Sequence, residues 1–292
     1  MQNVTPGAMV SLVAELSVAA IFGFAADRAA RAVQRWPVVV RTLCPALLVL
    51  PYVLVAVSQH VFLWQWFALY AGLPVWLAWL LGQAAEADPT RRGNWRDALI
   101  LLVLGLAVDL RWFESAWPAG LRALNELLFV DMGLYGFMAV RQLDGTGFDF
   151  HLKWSDAKTG LRELAFFTPI VFALGLALGF IHPRANWPTL WKAALTWIGI
   201  FFFTAVPEEL FFRAWVQNFL ERRVGRQAAL AIASVIFGLS HFNKRSVHFN
   251  WRYVILATIA GIFYGRSWRE RRRVPASAIT HTCVDWLWSW WF

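Results

Sequence analysis

Charge is what this chain has least of. Only 15% of its 292 residues are Asp, Glu, Lys or Arg, whereas a soluble domain carries about 25%. A polar stretch long enough to fold as a separate aqueous domain is also missing, and apolar runs recur almost from end to end. Cysteine is scarce. Cys44 and Cys283 both fall inside apolar runs, which leaves no disulfide framework and no cysteine-built metal cluster. The N-terminus, Met-Gln-Asn-Val-Thr-Pro-Gly, lacks the basic n-region of a cleavable leader, so the first hydrophobic run is expected to be retained. There is no phosphate-cradling Gly loop, no His-Glu-x-x-His helix and no Gly-x-Ser-x-Gly elbow. What remains is an all-α polytopic protein of the lipid bilayer.

What is abundant agrees. Hydrophobic residues make up 59% of the chain, with 19 Trp and 24 Phe, the aromatics suiting interfacial belts and lipid-facing surface. Apolar periodicity places spans at roughly 8–26, 38–57, 61–83, 97–113, 119–140, 163–182, 190–220, 227–241, 252–268 and 274–291. The fourth holds Asp109 and Arg111 and the fifth Asn125, Glu126 and Asp131, so either is short or polar enough to be re-entrant; the expectation is a bundle of about 8–10 transmembrane helices. These polar residues are expected to be structural, forming buried pairs, rather than lining a path. The connection 141–162, with Phe148, Phe150 and Trp154, is expected to lie on the membrane surface.

The net charge of +9 reads as topology rather than as affinity for nucleic acid. The odd-numbered connections hold 18 Lys and Arg, the even-numbered ones 7. Under the positive-inside rule this puts both termini outside.

Against this apolar background three polar clusters stand out. The first is Glu208-Glu209-Leu-Phe-Phe-Arg213, within the seventh span. One carboxylate at the centre of a spanning helix costs roughly 2.5–3.5 kcal/mol, so two in succession need a reason. Glu209 and Arg213 are i,i+4 neighbours and can pair in bidentate fashion. Glu208 is rotated about 100° away and has no partner in its own helix. Pro207 weakens the helix ladder beside them. The second cluster is Phe237-Gly-Leu-Ser-His241; the third is His281-Thr-Cys-Val-Asp285, another i,i+4 pair. Counted from the basic helix ends, Glu208, His241 and His281 lie at depths of about 12–22 Å, close enough to converge if the helices tilt.

Together, in this order, the motifs resemble the CPBP family (CAAX protease and bacteriocin-processing, or Abi), whose pattern is Glu-Glu-x-x-x-Arg, Phe-x-x-x-His and His-x-x-x-Asn/Asp on successive membrane helices. Gly261 and Tyr264-Gly265 also suit that pattern. The resemblance covers about 163–292, the expected catalytic core, and leaves 1–162 as N-terminal helices of unassigned role. It implies a helical bundle around a water-accessible cavity and an intramembrane endopeptidase. Its substrate would be a membrane-tethered peptide or protein, cut at a site such as a C-terminal sorting or lipidated tail.

By the same resemblance Glu208 and His241 would activate water, His281 and Asp285 would stabilise the oxyanion, and Glu209 and Arg213 would support the site. CAAX endopeptidases have Asn where this chain has Asp285; an ionised Asp cannot donate to an oxyanion, so it is either protonated or orients His281. No cofactor is expected, although Glu208, His241 and His281 are residue types that also suit Zn²⁺. A prokaryotic plasma membrane is the expected location. A non-catalytic immunity or scaffolding protein and a proton-coupled transporter are the competing readings; the absence of internal repeats and of paired broken helices argues against the latter.

Overall fold

The computed structural model describes residues 5–244 and 248–292. Its described residues form helices without strands, in two compact units, Met1–Asp144 and Gly145–Phe292.

In the first unit, α1 (Pro6–Gln34) starts on Thr5, whose hydroxyl accepts the Ala8 amide, with Pro6 at the first helical position, where no N–H is needed. α2 (Val38–Ser58) tightens to a 3₁₀ turn over Cys44–Val49, with Pro45 inside it and Pro51 just after it. α3 (Trp64–Ala87) runs through Pro74, and α4 (Trp95–Asp109) opens on an Asn94/Asp97 capping box. α5 (Ala119–Val140) ends in a wide π turn over Leu134–Val140. The buried Arg141 fastens this end, with Nε 2.8 Å from Asp97 and Nη2 2.6 Å from Asp88. Gln34 reaches the Ala139 carbonyl at 2.6 Å. The first and third connections thus gather at one end of the unit, as the charge alternation requires.

The second unit holds α6 (Trp154–Ala177), α7 (Leu190–Val224), α8 (Arg226–Leu239), α9 (Trp251–Arg271) and α10 (Val274–Trp291). Its basic end is knitted in the same way. Arg273 binds Asp156 at 2.7 Å and Asp149 at 2.6 Å, Trp268 donates to the Thr146 carbonyl, and Arg272 binds Glu221 at 2.6 Å. Thr146, Phe148 and Asp156 are therefore held in the protein, while His151 to Trp154 between them are exposed. Of the connection expected to lie on the surface, Phe148 is buried whereas Leu152 and Trp154 are exposed, and α6 begins at Trp154 rather than near 163. Hydrogen bonds from Arg273 and Trp268 supply what the sequence pattern there could not.

Six helices, α1, α2, α3, α5, α6 and α7, are long and apolar enough to cross a membrane. The fourth and the last three expected spans fall short by that measure. α8 has 14 residues and so extends about 21 Å, against the ~30 Å of a hydrocarbon core; α4 is nearly as short, α9 carries Arg252, Arg266, Arg269 and Arg271, and α10 is rich in Trp. Only 22% of the apolar window of α6 and of α7 is buried. That leaves an apolar surface no aqueous protein would expose, and it belongs to lipid. α8 lies close against α9 at Gly261, where an added Cβ would sit 3.0 Å from the Ser234 Cα. Phe167, Phe212, Phe237, Phe263 and Tyr264 fill the core between these helices.

Candidate active site

The helix bearing the glutamates is irregular where they sit. Within α7 a short regular segment, Val206–Glu209, lies between π turns at Phe201–Ala205 and Leu210–Gln217. Pro207 lacks an N–H, and its ring crowds the carbonyl four residues back; the wide turn just before it gives that carbonyl room. Glu208 and Glu209 thus emerge from a locally loosened helix.

Glu209 is enclosed completely, as is Arg213, whose Nε lies 2.9 Å from Glu209 Oε2. The pairing expected from i,i+4 spacing is present, but it is not bidentate. Glu209 Oε1 is taken by His281 Nδ1 at 2.9 Å, and Oε2 also accepts the Ser277 hydroxyl. The Arg213 guanidinium lies over the Phe237 ring, 5.1 Å from its centre, a favourable placement for a desolvated cation.

His281 is the meeting point of the site. Its Nε2 stands 3.5 Å from Asp285 Oδ2 and 3.9 Å from Glu208 Oε2, and its ring stacks on Tyr264 at 4.5 Å. Glu208, alone on its own helix face, finds partners from other segments: His281, and Lys244 Nζ at 3.6 Å from Oε1. His241, at the end of α8, turns its Nδ1 back to the Phe237 carbonyl at 2.8 Å. A neutral imidazole donating there carries its lone pair on Nε2. Phe237 packs against both imidazoles, 4.9 Å from His241 and 5.7 Å from His281. All six expected site residues therefore lie in one region of the second unit.

Exposure is graded across it. Glu209 and Arg213 are sealed, whereas the Glu208, Lys244 and Asp285 side chains are 24%, 36% and 39% exposed. That rim adjoins the connection after α8. The opposite end of α8, Arg226, meets Arg269 among the basic connections. The mouth accordingly lies away from the basic face.

Three contributors had not been singled out for the site from sequence. Ser277 sits four residues before His281, continuing the Ser277–His281–Asp285 stripe down one helix face, a spacing that could have revealed it. Lys244 follows His241 by three residues without any periodic signal. Tyr264 stood out only as part of a family pattern, not as the ring on which His281 rests.

Among the described residues no three His, Cys, Asp or Glu side chains are grouped to hold a metal ion. Both imidazole Nδ1 atoms are engaged, which leaves each Nε2 facing the site, and the Lys244 ammonium faces Glu208.

A multi-helix membrane protein with a sealed Glu–Arg pair, two histidines and a partly open carboxylate is the class that fold and site define. Residues 189–287 match the family model described as type II CAAX prenyl endopeptidase Rce1-like. This segment is similar to that family, and it spans α7, α8, α9 and α10 as far as residue 287, with every residue of the site. No protein of curated function and no solved structure matches the chain.

Proposed function

We propose that the protein hydrolyses a peptide bond of a membrane-tethered substrate with water activated by Glu208 and His241. The observation that supports this most is the division between the two glutamates: Glu209 is saturated by Arg213, His281 and Ser277, while Glu208 is partly open beside His281 and Lys244. Water held by Glu208 and the His241 Nε2 lone pair gives up a proton as its oxygen attacks the scissile carbonyl carbon. His281 has carboxylate oxygens facing both ring nitrogens, so it acts as a double donor. Its Nε2–H stabilises the oxyanion that forms. Asp285 orients that ring rather than donating to the oxyanion. The C–N bond then breaks, and the proton taken from water passes to the leaving amine. Glu209, Arg213, Phe237 and Tyr264 hold the imidazoles in place.

Charge supports the same assignment. Three carboxylates (Glu208, Glu209, Asp285) face Arg213 and Lys244, and a protonated His281 balances the set. No metal takes part in this reading. The bond cut belongs to a tail presented from the bilayer, such as a C-terminal sorting or lipidated segment, and a prokaryotic plasma membrane with both termini outside suits the charge pattern. The test is cleavage of a lipidated tail peptide by purified protein. Glu208→Gln and His241→Ala are expected to lower kcat by about 10²–10⁴ while the protein stays folded. Undiminished turnover in both variants would refute the assignment. Loss of activity with 1,10-phenanthroline, restored by zinc, would replace it with a metallopeptidase.

A further inference from the structure

The hydrolysis assigned to Glu208 and His241 gives Lys244 no part, although its ammonium lies beside the base. Lys244 is seated with care. Its N–H donates to the His241 carbonyl at 3.3 Å, and its own carbonyl accepts from the Asn250 side-chain amide at 3.1 Å. Asn250 is fixed in turn. Its N–H donates to the Phe242 carbonyl at 2.8 Å, and its Oδ1 accepts from the Tyr253 amide in the first turn of α9. The end of α8 that carries His241 and the start of α9 therefore hold the Lys244 backbone between them, and its side chain reaches the open side of Glu208.

Two donors flank that carboxylate, Lys244 Nζ at 3.6 Å from Oε1 and His281 Nε2 at 3.9 Å from Oε2. Both gaps are longer than a hydrogen bond, unlike the 2.9 Å contacts that lock Glu209. A substrate carbonyl attacked by water on Glu208 therefore meets an ammonium as well as an imidazole. The imidazole alone is a poor match to the charge that develops. Its Nε2 already faces Asp285 at 3.5 Å, and Asp285, as a carboxylate, repels an oxyanion instead of donating to it.

We propose that Lys244 is a catalytic residue, the second oxyanion donor of the site; this rests on the peptidase reading. As the water oxygen bonds to the carbonyl carbon, the C=O π pair moves onto the carbonyl oxygen and the water proton passes to Glu208. Glu208 becomes neutral as the substrate oxygen becomes negative, so the pull on the ammonium shifts from the carboxylate to the oxyanion. Net charge is unchanged. Such a contact is stronger in the transition state than before it, and so raises kcat rather than tightening KM. When the C=O bond re-forms, the C–N bond breaks, the proton leaves Glu208 for the amine nitrogen, and Lys244 faces a carboxylate again.

The test uses the full chain in detergent and a lipidated tail peptide, with Lys244→Met, Lys244→Arg and Glu208→Gln beside the wild type. Lys244→Met is expected to lower kcat about 10²-fold, the lower end for one oxyanion donor because this side chain is 36% exposed, and to leave KM nearly unchanged. Lys244→Arg, which keeps the charge and the donors, should recover most of that loss. A tail peptide with a phosphinate in place of the scissile amide carries the negative oxygen permanently. Its Ki should rise about 10²-fold in Lys244→Met, a change that a merely structural lysine would not produce. Undiminished kcat in Lys244→Met beside an inactive Glu208→Gln overturns the role of Lys244 and leaves the peptidase reading standing, whereas full activity in Glu208→Gln overturns that reading itself. A kcat loss with an unchanged phosphinate Ki also overturns the role. So does a rise in KM alone, confined to tails that end in a free carboxylate and absent for amidated ones, because Lys244 would then bind the substrate terminus.

Discussion

Arg213→Met tests whether the sealed pair is what holds the active site together. The substitution takes the Nε–H from Glu209 at 2.9 Å and the guanidinium from the Phe237 face at 5.1 Å. Removing one partner of a buried pair costs ~3–5 kcal/mol, mostly from the charge left behind. Here Glu209 keeps His281 and Ser277, so the lower end, about 3 kcal/mol, is the expectation. Neutralising the stranded carboxylate as well should return much of it. Glu209→Gln/Arg213→Met is expected to be ~2 kcal/mol more stable than Arg213→Met, the ~1 kcal/mol still missing being the lost cation–π contact. Reversible unfolding in mixed SDS and mild-detergent micelles, run on the wild type, both single variants and the double variant, closes the cycle. A single-variant cost below about 1 kcal/mol, or a double variant no better than Arg213→Met, would refute the reasoning, since an exposed pair contributes no more than this.

Other consequences are as direct. A Cβ on Gly238 would meet Thr258 Oγ1 at 1.9 Å and the Val254 carbonyl at 2.6 Å, so Gly238→Ala should push α8 off α9 and displace His241. A shift of about 1 Å is expected to lower kcat/KM about 10²-fold, whereas Gly72→Ala, with nothing within 4 Å, should leave it unchanged. At the basic end, burial opposes ionisation of Asp149, yet Arg273 and the His151 amide outweigh it and hold the carboxyl at about 2 instead of 3.8. A carboxyl lowered in the fold stabilises above its unfolded value and loses that contribution as pH falls through the folded one. Wild-type stability should therefore fall more steeply than that of Asp149→Asn as pH drops from about 4 to about 2, measured by unfolding at each pH. For sidedness, in a Cys44→Ser/Cys283→Ser background, a membrane-impermeant maleimide should label Lys244→Cys but not Lys153→Cys in intact cells; the reverse pattern would invert the topology.

What could be read from the sequence, and what could not, follows the range of each interaction. Glu209–Arg213 and His281–Asp285 were visible because four residues make about one helical turn, and both pairs are in contact. Six of the expected spans were visible because lipid demands long apolar runs, and six helices are long and apolar enough to cross a membrane. The bidentate geometry was not, since Glu209 Oε1 is claimed by His281, 72 residues away. Phe148 and Asp156 read as surface because nothing local shows that Arg273, 117 residues beyond Asp156, covers them.

The adjacency of Glu208 and Glu209 then has a mechanical meaning. Neighbouring residues on a helix point about 100° apart, so a double glutamate places one carboxylate into the bundle and the other toward its opening. The inward one needs a cation to be stable there, and Arg213, one turn on, supplies it. The same carboxylate reaches His281 on α10 and fixes the face that imidazole shows to Glu208. In the proposed mechanism, substituting Glu209 would therefore disturb catalysis through His281 without touching substrate, while substituting Glu208 would remove the base and leave the bundle intact. Two identical side chains in succession are separated in role by the pitch of the helix that carries them.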